Sequence, residues 1–389
     1  FFCHWRRNMM GVVRHVLACA CLAALVAPSE LGDAKADRQF AVVSYLPEWR
    51  YEGANWDTIC EHSTHLLLFS LEPSPTGQIL AQDRIPRKAL LDEAREAARR
   101  HGTQLLLCFG GNGRSSGFSQ MVRNKKSRVR FVHEVGTLIA KLDLDGVDYN
   151  WEYPGYQFGR GYLAEEEIVE DYKGLSRLIK ETKKYFSDKG TPKVVTMAYY
   201  PDSRQEQLIK QYKIDERADL MHMMSYDQNG GHHSTLEFGK KCADQGLGIL
   251  PPHKLTMGVP FYGRHSLTGD WTTYEDLVQR HDPLPAAEDS MPAPDAKGAT
   301  IGFNGVTSIE EKTKYALERG LGGVMIWEVG QDCRLAPVTH GKDTHVRTCP
   351  TDNSSLLLAI SRAAKAVGYS RMRTDAWRLQ ANELAVDEL

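Results

Sequence analysis

The stretch Leu144-Asp145-Gly146-Val147-Asp148-Tyr149-Asn150-Trp151-Glu152-Tyr153-Pro154 alternates polar with apolar or aromatic residues through its centre. A period of two is the β-strand pattern, so Asp148, Asn150 and Glu152 share one face while Val147, Tyr149 and Trp151 share the other. The second trio suits contact with a layer of helices. The first aims three polar side chains into an interior, where they are costly to bury without a purpose. Pro154 and Gly155 stop the strand, read as Gly146–Glu152, and leave Glu152 at its C-terminal end. A calcium loop over Asp143 to Glu152 is the competing reading, but its glycine is misplaced and the alternation is that of a strand.

Working outward, similar short β-rich runs occur at 41–45, 65–71, 104–109, 194–200, 220–226, 255–261 and 323–328. They are mostly apolar, as expected of parallel strands covered on both faces. Amphipathic segments separate them. In 88–100, Leu90, Leu91, Ala94, Ala97 and Ala98 fall on one helical face, and in 128–142 Phe131, Val132, Val135, Leu138 and Ile139 do the same. Strand–helix alternation repeated about eight times predicts a closed eight-stranded α/β (β/α) barrel of the TIM type. An open doubly wound sheet lacks its expected glycine-rich turn, since Leu46-Pro47-Glu48-Trp49 follows the first strand. In such barrels the active site lies at the C-terminal ends of the strands, where Glu152 stands.

The 389 residues are 42% apolar and 25% charged with a formal net charge of −2, the composition of a globular protein without a polyanionic partner. No basic stripe or zinc-finger spacing argues for nucleic acid. Arg14 and His15 precede an apolar run, Val16 to Ala27, and a small-x-small site, Ala34-Lys35-Ala36. This is the order of a secretory signal, and the run is too short for stable membrane insertion. We therefore expect residues 1–36 to be signal and upstream sequence, 37–367 to be the barrel, 263–306 a rim insertion, and 368–389 a peripheral tail. The mature chain is expected to be secreted and monomeric. Of eight cysteines, those after residue 36 are Cys60, Cys108, Cys242, Cys333 and Cys349. Cys333 and Cys349 flank a polar loop and are expected to pair; Cys108 lies in an apolar run and reads as a buried thiol. His232-His233, in a glycine-rich loop, reads as solvated and receives no role.

The carboxylate strand resembles the Asp-x-x-Asp-x-Asp-x-Glu signature of the family 18 glycoside hydrolases, the chitinase family, from Asp145 to Glu152. Four further segments resemble that family in the right order. They are Ser44-Tyr45 with Trp49, Phe109-Gly110-Gly111, Met224-Ser225-Tyr226-Asp227, and Gly322 through Glu328 with Trp327. The resemblance implies cleavage of β-1,4-linked N-acetylglucosamine polymers, chitin or chito-oligosaccharides, with no metal and no cofactor. Glu152 would be general acid and then base, and Asp148 would support the next residue inward. Tyr226 would donate to the acetamido carbonyl oxygen of the substrate. Trp327 would floor the sugar subsite, Tyr45 and Met224 would line it, and Asp227 would hydrogen-bond the sugar. Asp145, Gly110 and Gly111 would be structural members of the motifs.

Three departures stand out. Asn150 replaces the family aspartate, so an amide without charge stands where a carboxylate balances the developing positive charge. Weak turnover, or a sugar-binding lectin, is the reading this favours, and an endo-β-N-acetylglucosaminidase acting on protein glycans is a third. Cys108 stands where serine is usual. In the insertion, Phe303-Asn304-Gly305 replaces the common Tyr-Asp-Asp, and the segment reads either as a wall on the rim or as an unstructured loop.

Overall fold

A computed structural model describes residues 40–281, 283–334 and 349–369. The expected signal segment and nearly all of the expected tail lie outside them. Eight parallel strands form the centre: β1 (Ala41–Pro47), β2 (His65–Pro73), β3 (Gln104–Gly110), β4 (Gly146–Asn150), β5 (Val194–Tyr199), β6 (Leu220–Met223), β7 (Leu255–Pro260) and β8 (Gly323–Trp327). Each pairs with its sequence neighbours, and β1 pairs with both β2 and β8, so the sheet closes in chain order. The predicted barrel is the fold.

Two apolar clusters show why the sequence adopts it. Alternate residues such as Val43, Tyr45, Leu67, Leu106, Cys108 and Met325 fill the lumen. Their neighbours, among them Leu66, Leu68, Leu107, Val147 and Tyr149, pack against the helices outside. The inner cluster is a filled core, as small barrels require. The helices carry conventional ends: Asn124 Oδ1 accepts from Ser127 N–H (3.1 Å) to start Lys125–Leu142, and Gly102 at φ 65° ends Lys88–His101. That cap starts the helix three residues before the predicted 128. No helix among the described residues is long and apolar enough to cross a membrane.

Several predicted strands run past the observed ones. β4 ends at Asn150 and β6 at Met223, so Glu152 and Tyr226 stand beyond the ladder rather than in it. After β6 the chain turns: Ser225 N–H donates back to Met223 O (2.9 Å), and Asp227 takes a left-handed φ of 58°. Apolar side chains continue through these turns, so hydrophobic pattern alone overruns the rim.

The insertion after β7 is a wall. Tyr262–His265, Trp271–Thr273, Ser290–Pro292 and Thr300–Gly302 form a four-stranded antiparallel sheet, accompanied by the helix Tyr274–Arg280. Cys333 and Cys349 form a disulfide, as expected, and Cys60, Cys108 and Cys242 are buried.

Candidate active site

The register of three strands builds the base of the site. Cys108 on β3, Asp148 on β4 and Thr196 on β5 are direct Cα partners, so their side chains point into the lumen together. Asp148 is fully buried there. Its carboxylate accepts from Thr196 Oγ1 (2.7 Å), Tyr45 OH (2.8 Å) and Cys108 Sγ (3.2 Å). Burial raises the Asp148 pKa, and those three donors act against the rise. His222 Nε2 lies 3.8 Å from Asp148 Oδ1, and burial pushes this imidazole down to about 3, so it is neutral. Asp148 makes no hydrogen bond to Asn150 among the described residues. The Asp148 oxygens are taken by the lumen hydroxyls and thiol, whereas the Asn150 side chain lies beside Glu152 and acts to lower that carboxyl's pKa.

Glu152 sits two residues above the end of β4 in a turn fixed from the β3 side. Gly111 N–H donates to Asn150 O (2.6 Å), and Glu152 N–H donates to Ser115 Oγ (3.0 Å). Gly110 and Gly111 have φ of 101° and 109°. A Cβ on Gly110 would collide with the Asn150 carbonyl, and one on Gly111 with the Phe69 ring. Only glycine lets this loop close on the rim. Asp145 accepts from Leu105 N–H (3.0 Å) and so ties the foot of β4 to β3. On the outer face, Tyr149 OH meets Thr182 Oγ1 (2.7 Å) and Trp151 stacks on Phe118 at 5.1 Å.

The surroundings of Glu152 push its pKa up to about 7. Burial is the main cause; the Asn150 side chain opposes it, the charge of Asp227 adds to it, and the Asn112 backbone and Tyr153 side chain oppose it. A carboxyl group poised near neutrality can give a proton and take it back. Among buried carboxyls, Glu328 is also raised to about 7, but it accepts from Arg50 Nε (3.2 Å), which also pairs with Glu275. Glu152 has no cationic partner among the described residues.

Across the lumen, Trp327 meets Phe69 edge-to-face at 4.7 Å and Tyr45 at 5.5 Å. Met224 and Tyr226 belong to the same inner cluster, against which Trp327, Tyr153 and Tyr200 pack. Among the described residues the Tyr226 hydroxyl bonds only a weak acceptor, Met325 Sδ (3.7 Å), and burial followed by the charges of Asp227 and Glu152 holds its pKa far above the ordinary phenol value. It is a donor at every working pH. Asp227 Oδ1 accepts from Tyr262 OH (2.8 Å), meets His233 Nδ1 (3.2 Å) and pairs with Arg264 (3.1 Å). Burial works to raise the Asp227 carboxyl, but His233, Tyr262 and Arg264 outweigh it and leave its pKa below the usual value.

Tyr45, Asp148, Asn150, Glu152, Met224, Tyr226, Asp227 and Trp327 therefore come together at one end of the barrel. His233 is a correction: it is buried and braces Asp227, its Nε2 lying 3.2 Å from Tyr262 O. Sequence reasoning also omitted Phe69, Tyr153, Tyr200, Tyr262 and Arg264. Phe69 had a signal, since it follows Leu67 at the strand period; Tyr262 and Arg264 reach the site only through the folding of the insertion.

A model of "Glycosyl hydrolases family 18" matches residues 41–332. The chain belongs to glycosyl hydrolase family 18. Among curated relatives, "Probable chitinase 2" of Drosophila melanogaster is 27% identical over 342 residues, covering 72% of this chain and 66% of that protein. "Endochitinase" of Manduca sexta is 25% identical over 275 residues, covering 56% and 48%. The chain thus spans about two thirds of the first relative's length and about half of the second's. Among solved structures, the Ostrinia furnacalis Group IV chitinase in complex with allosamidin superposes with a TM-score of 0.65 at 20% identity, over 85% of this chain and 100% of that one. At that identity the likeness is one of fold.

Proposed function

We propose that this family 18 member cleaves β-1,4-linked N-acetylglucosamine polymers, chitin or chito-oligosaccharides, by a retaining, substrate-assisted mechanism. The observation that carries the reading is a half-buried carboxyl, Glu152, held near neutrality with no cationic partner among the described residues, beside a Tyr226 hydroxyl that meets only Met325 Sδ there and an aromatic floor. Among the described residues, the two other carboxylates near the site are already engaged. Asp148 is buried beneath the site with three donors on it, and Asp227 is engaged by Tyr262, His233 and Arg264. The nucleophile must then come with the substrate, as in the substrate-assisted exceptions to two-carboxylate hydrolysis, of which this family is a standard example.

In that reaction the acetamido carbonyl oxygen attacks the anomeric carbon while Glu152 protonates the departing glycosidic oxygen. Tyr226 holds the carbonyl oxygen in line. The resulting Glu152 carboxylate takes a proton from water as water opens the cyclic intermediate, and the starting anomeric configuration is restored. Trp327, Tyr45 and Met224 line the ring being cleaved, and Asp227 is the polar contact at its edge.

Asn150 favours a second reading, a lectin that binds the sugar and cuts slowly. Its Oδ1 is buried without a partner among the described residues. An unmet buried acceptor costs about 1–3 kcal/mol, and a substrate acetamido N–H would supply the donor, so binding persists where charge balance is lost. Export from the cell is part of the proposal and rests on the order of residues 14–36. Mass spectrometry of products from chitohexaose and from a glycoprotein, run side by side, tests the substrate. Shorter N-acetylglucosamine oligomers from the first alone support it; glycan release from the second, with chitohexaose untouched, overturns it.

A further inference from the structure

The exposed large aromatic side chains among the described residues are Trp49, Phe158 and Trp271, each about half exposed. All three lie beyond the C-terminal ends of barrel strands, after β1, β4 and β7 respectively. Trp49 has Arg114 over its ring at 5.5 Å, and Trp271 stacks on Tyr262 at 4.6 Å. Phe158 differs from both in being the outer end of an aromatic series that starts at the acid itself.

The series runs through the loop between β4 and the helix Glu165–Asp188. Tyr153 follows Glu152 in the chain and its side chain lies beside that carboxyl. From Tyr153 the ring centroids step 5.8 Å to Tyr156, 5.9 Å to Phe158 and 6.1 Å to Tyr200. Tyr156 and Phe158 meet edge-to-face at 5.6 Å. Residues Tyr156–Gln157 pair with Gly161–Tyr162 in a small hairpin whose tip is Phe158-Gly159. Its foot is anchored, because Gly155 N–H donates to buried Asp171 (2.9 Å), which Arg123 and Ser119 hold from the other side (2.7 Å each). Its far strand is braced where Tyr162 OH donates to Asp202 and Arg204 lies 4.4 Å over the Tyr162 ring. A phenyl ring raised on a braced hairpin, rimmed by phenolic rings, is a flat apolar surface with polar edges.

We infer that Phe158, flanked by Tyr153 and Tyr156, is a stacking platform for a pyranose ring on the leaving-group side of the scissile bond. The inference rests on the substrate reading above. Trp327 lies on β8, four strands around the barrel from β4, so the ring it floors lies across the lumen from Glu152. The glycosidic oxygen protonated by Glu152 is that ring's far boundary. A chain continuing past it runs over β4 and β5, where this series lies. Exposed apolar patches at a site's rim are ordinarily binding surfaces, and continuity with the acid ties this one to the same ligand.

The test uses the Glu152→Gln protein, which holds substrate uncut, and calorimetric titration with chitohexaose. Adding Phe158→Ala weakens chitohexaose binding about tenfold, the scale of one lost aromatic stacking contact, and Phe158→Trp restores it. In the protein with Glu152 intact, Phe158→Ala also shifts the product lengths released from chitohexaose. Unchanged affinity and unchanged products in Phe158→Ala overturn the platform and leave the substrate reading standing. Failure of Glu152→Gln to bind chitohexaose at all, with an unaltered melting curve, overturns both.

Discussion

Replacing Asn150 by aspartate exchanges one amide for one carboxyl at the centre of the site. The Asn150 side chain lies beside Glu152 and is the strongest of the influences opposing the burial that lifts its pKa to about 7. The exchange removes that influence and adds a like charge. Two carboxylates at about 4 Å repel by about 4 kcal/mol at an effective dielectric of 20, equivalent to about 3 pK units. That is a ceiling, because the two groups then titrate as a pair and share a proton. The alkaline limb of kcat/KM should therefore rise by about 1 unit or more. The new carboxylate also faces the positive charge developing in the cyclic intermediate, and a preorganised contact of that kind is worth about 10²–10³ in kcat. Fluorophore release from a chito-oligosaccharide substrate between about pH 5 and 10 measures both effects. Equal or lower kcat together with an unmoved limb would refute the reasoning, and would mean that the site is built around the amide.

Other consequences are independent of that variant. Because Glu152 acts as an acid and its pKa is raised, kcat/KM of the unsubstituted protein should fall as pH rises through about 7; a flat profile to pH 9 counts against the assignment. Tyr226→Phe should lower kcat by about 10²–10³ with little change in KM, since the hydroxyl acts mainly on the attacking carbonyl; steady-state kinetics separate the two. Lys312 is fully buried, its ammonium bonded among the described residues only to Ser234 and Asn304 oxygens, and burial pushes its pKa down to about 7. The unfolded chain then binds more protons than the folded one between about pH 7 and 10.5, so this group's penalty shrinks as pH rises. Urea unfolding should show the stability gap between Lys312→Met and the unsubstituted protein changing by on the order of 3 kcal/mol in the latter's favour from pH 7 to 10. Loss of the Cys333–Cys349 disulfide by Cys349→Ser should cost about 3 kcal/mol in the same assay.

The barrel was legible because its strands are buried on both faces and its helices on one, which writes two different periods into the chain. The carboxylate strand was legible for the same reason: Asp148 interrupts an apolar face, and a buried charge demands a purpose. What the sequence hid lies where local pattern and tertiary contact part company. Tyr226 and Glu152 read as strand residues because apolar side chains continue past Met223 and Asn150, whereas the backbone has already left the ladder. His233 looked solvated from its glycine neighbours, yet Asp227 and Tyr262 bury it. The insertion sheet is made of three- and four-residue strands interrupted by Pro292 and Gly302, too short for any period to register. Lys312 occupied an ordinary polar place in a helix, and only packing against the Ser234 loop made it exceptional. The influence of the Asn150 side chain on Glu152 likewise depends on rotamers that no spacing rule supplies.

Glu152→Gln, assayed with the same fluorogenic substrate and with chito-oligosaccharide binding measured in parallel, bears most directly on the central claim. The amide keeps the shape of the side chain but cannot deliver a proton, so turnover should fall by about 10²–10⁴ while the sugar still binds. Turnover undiminished by that single exchange would contradict the account.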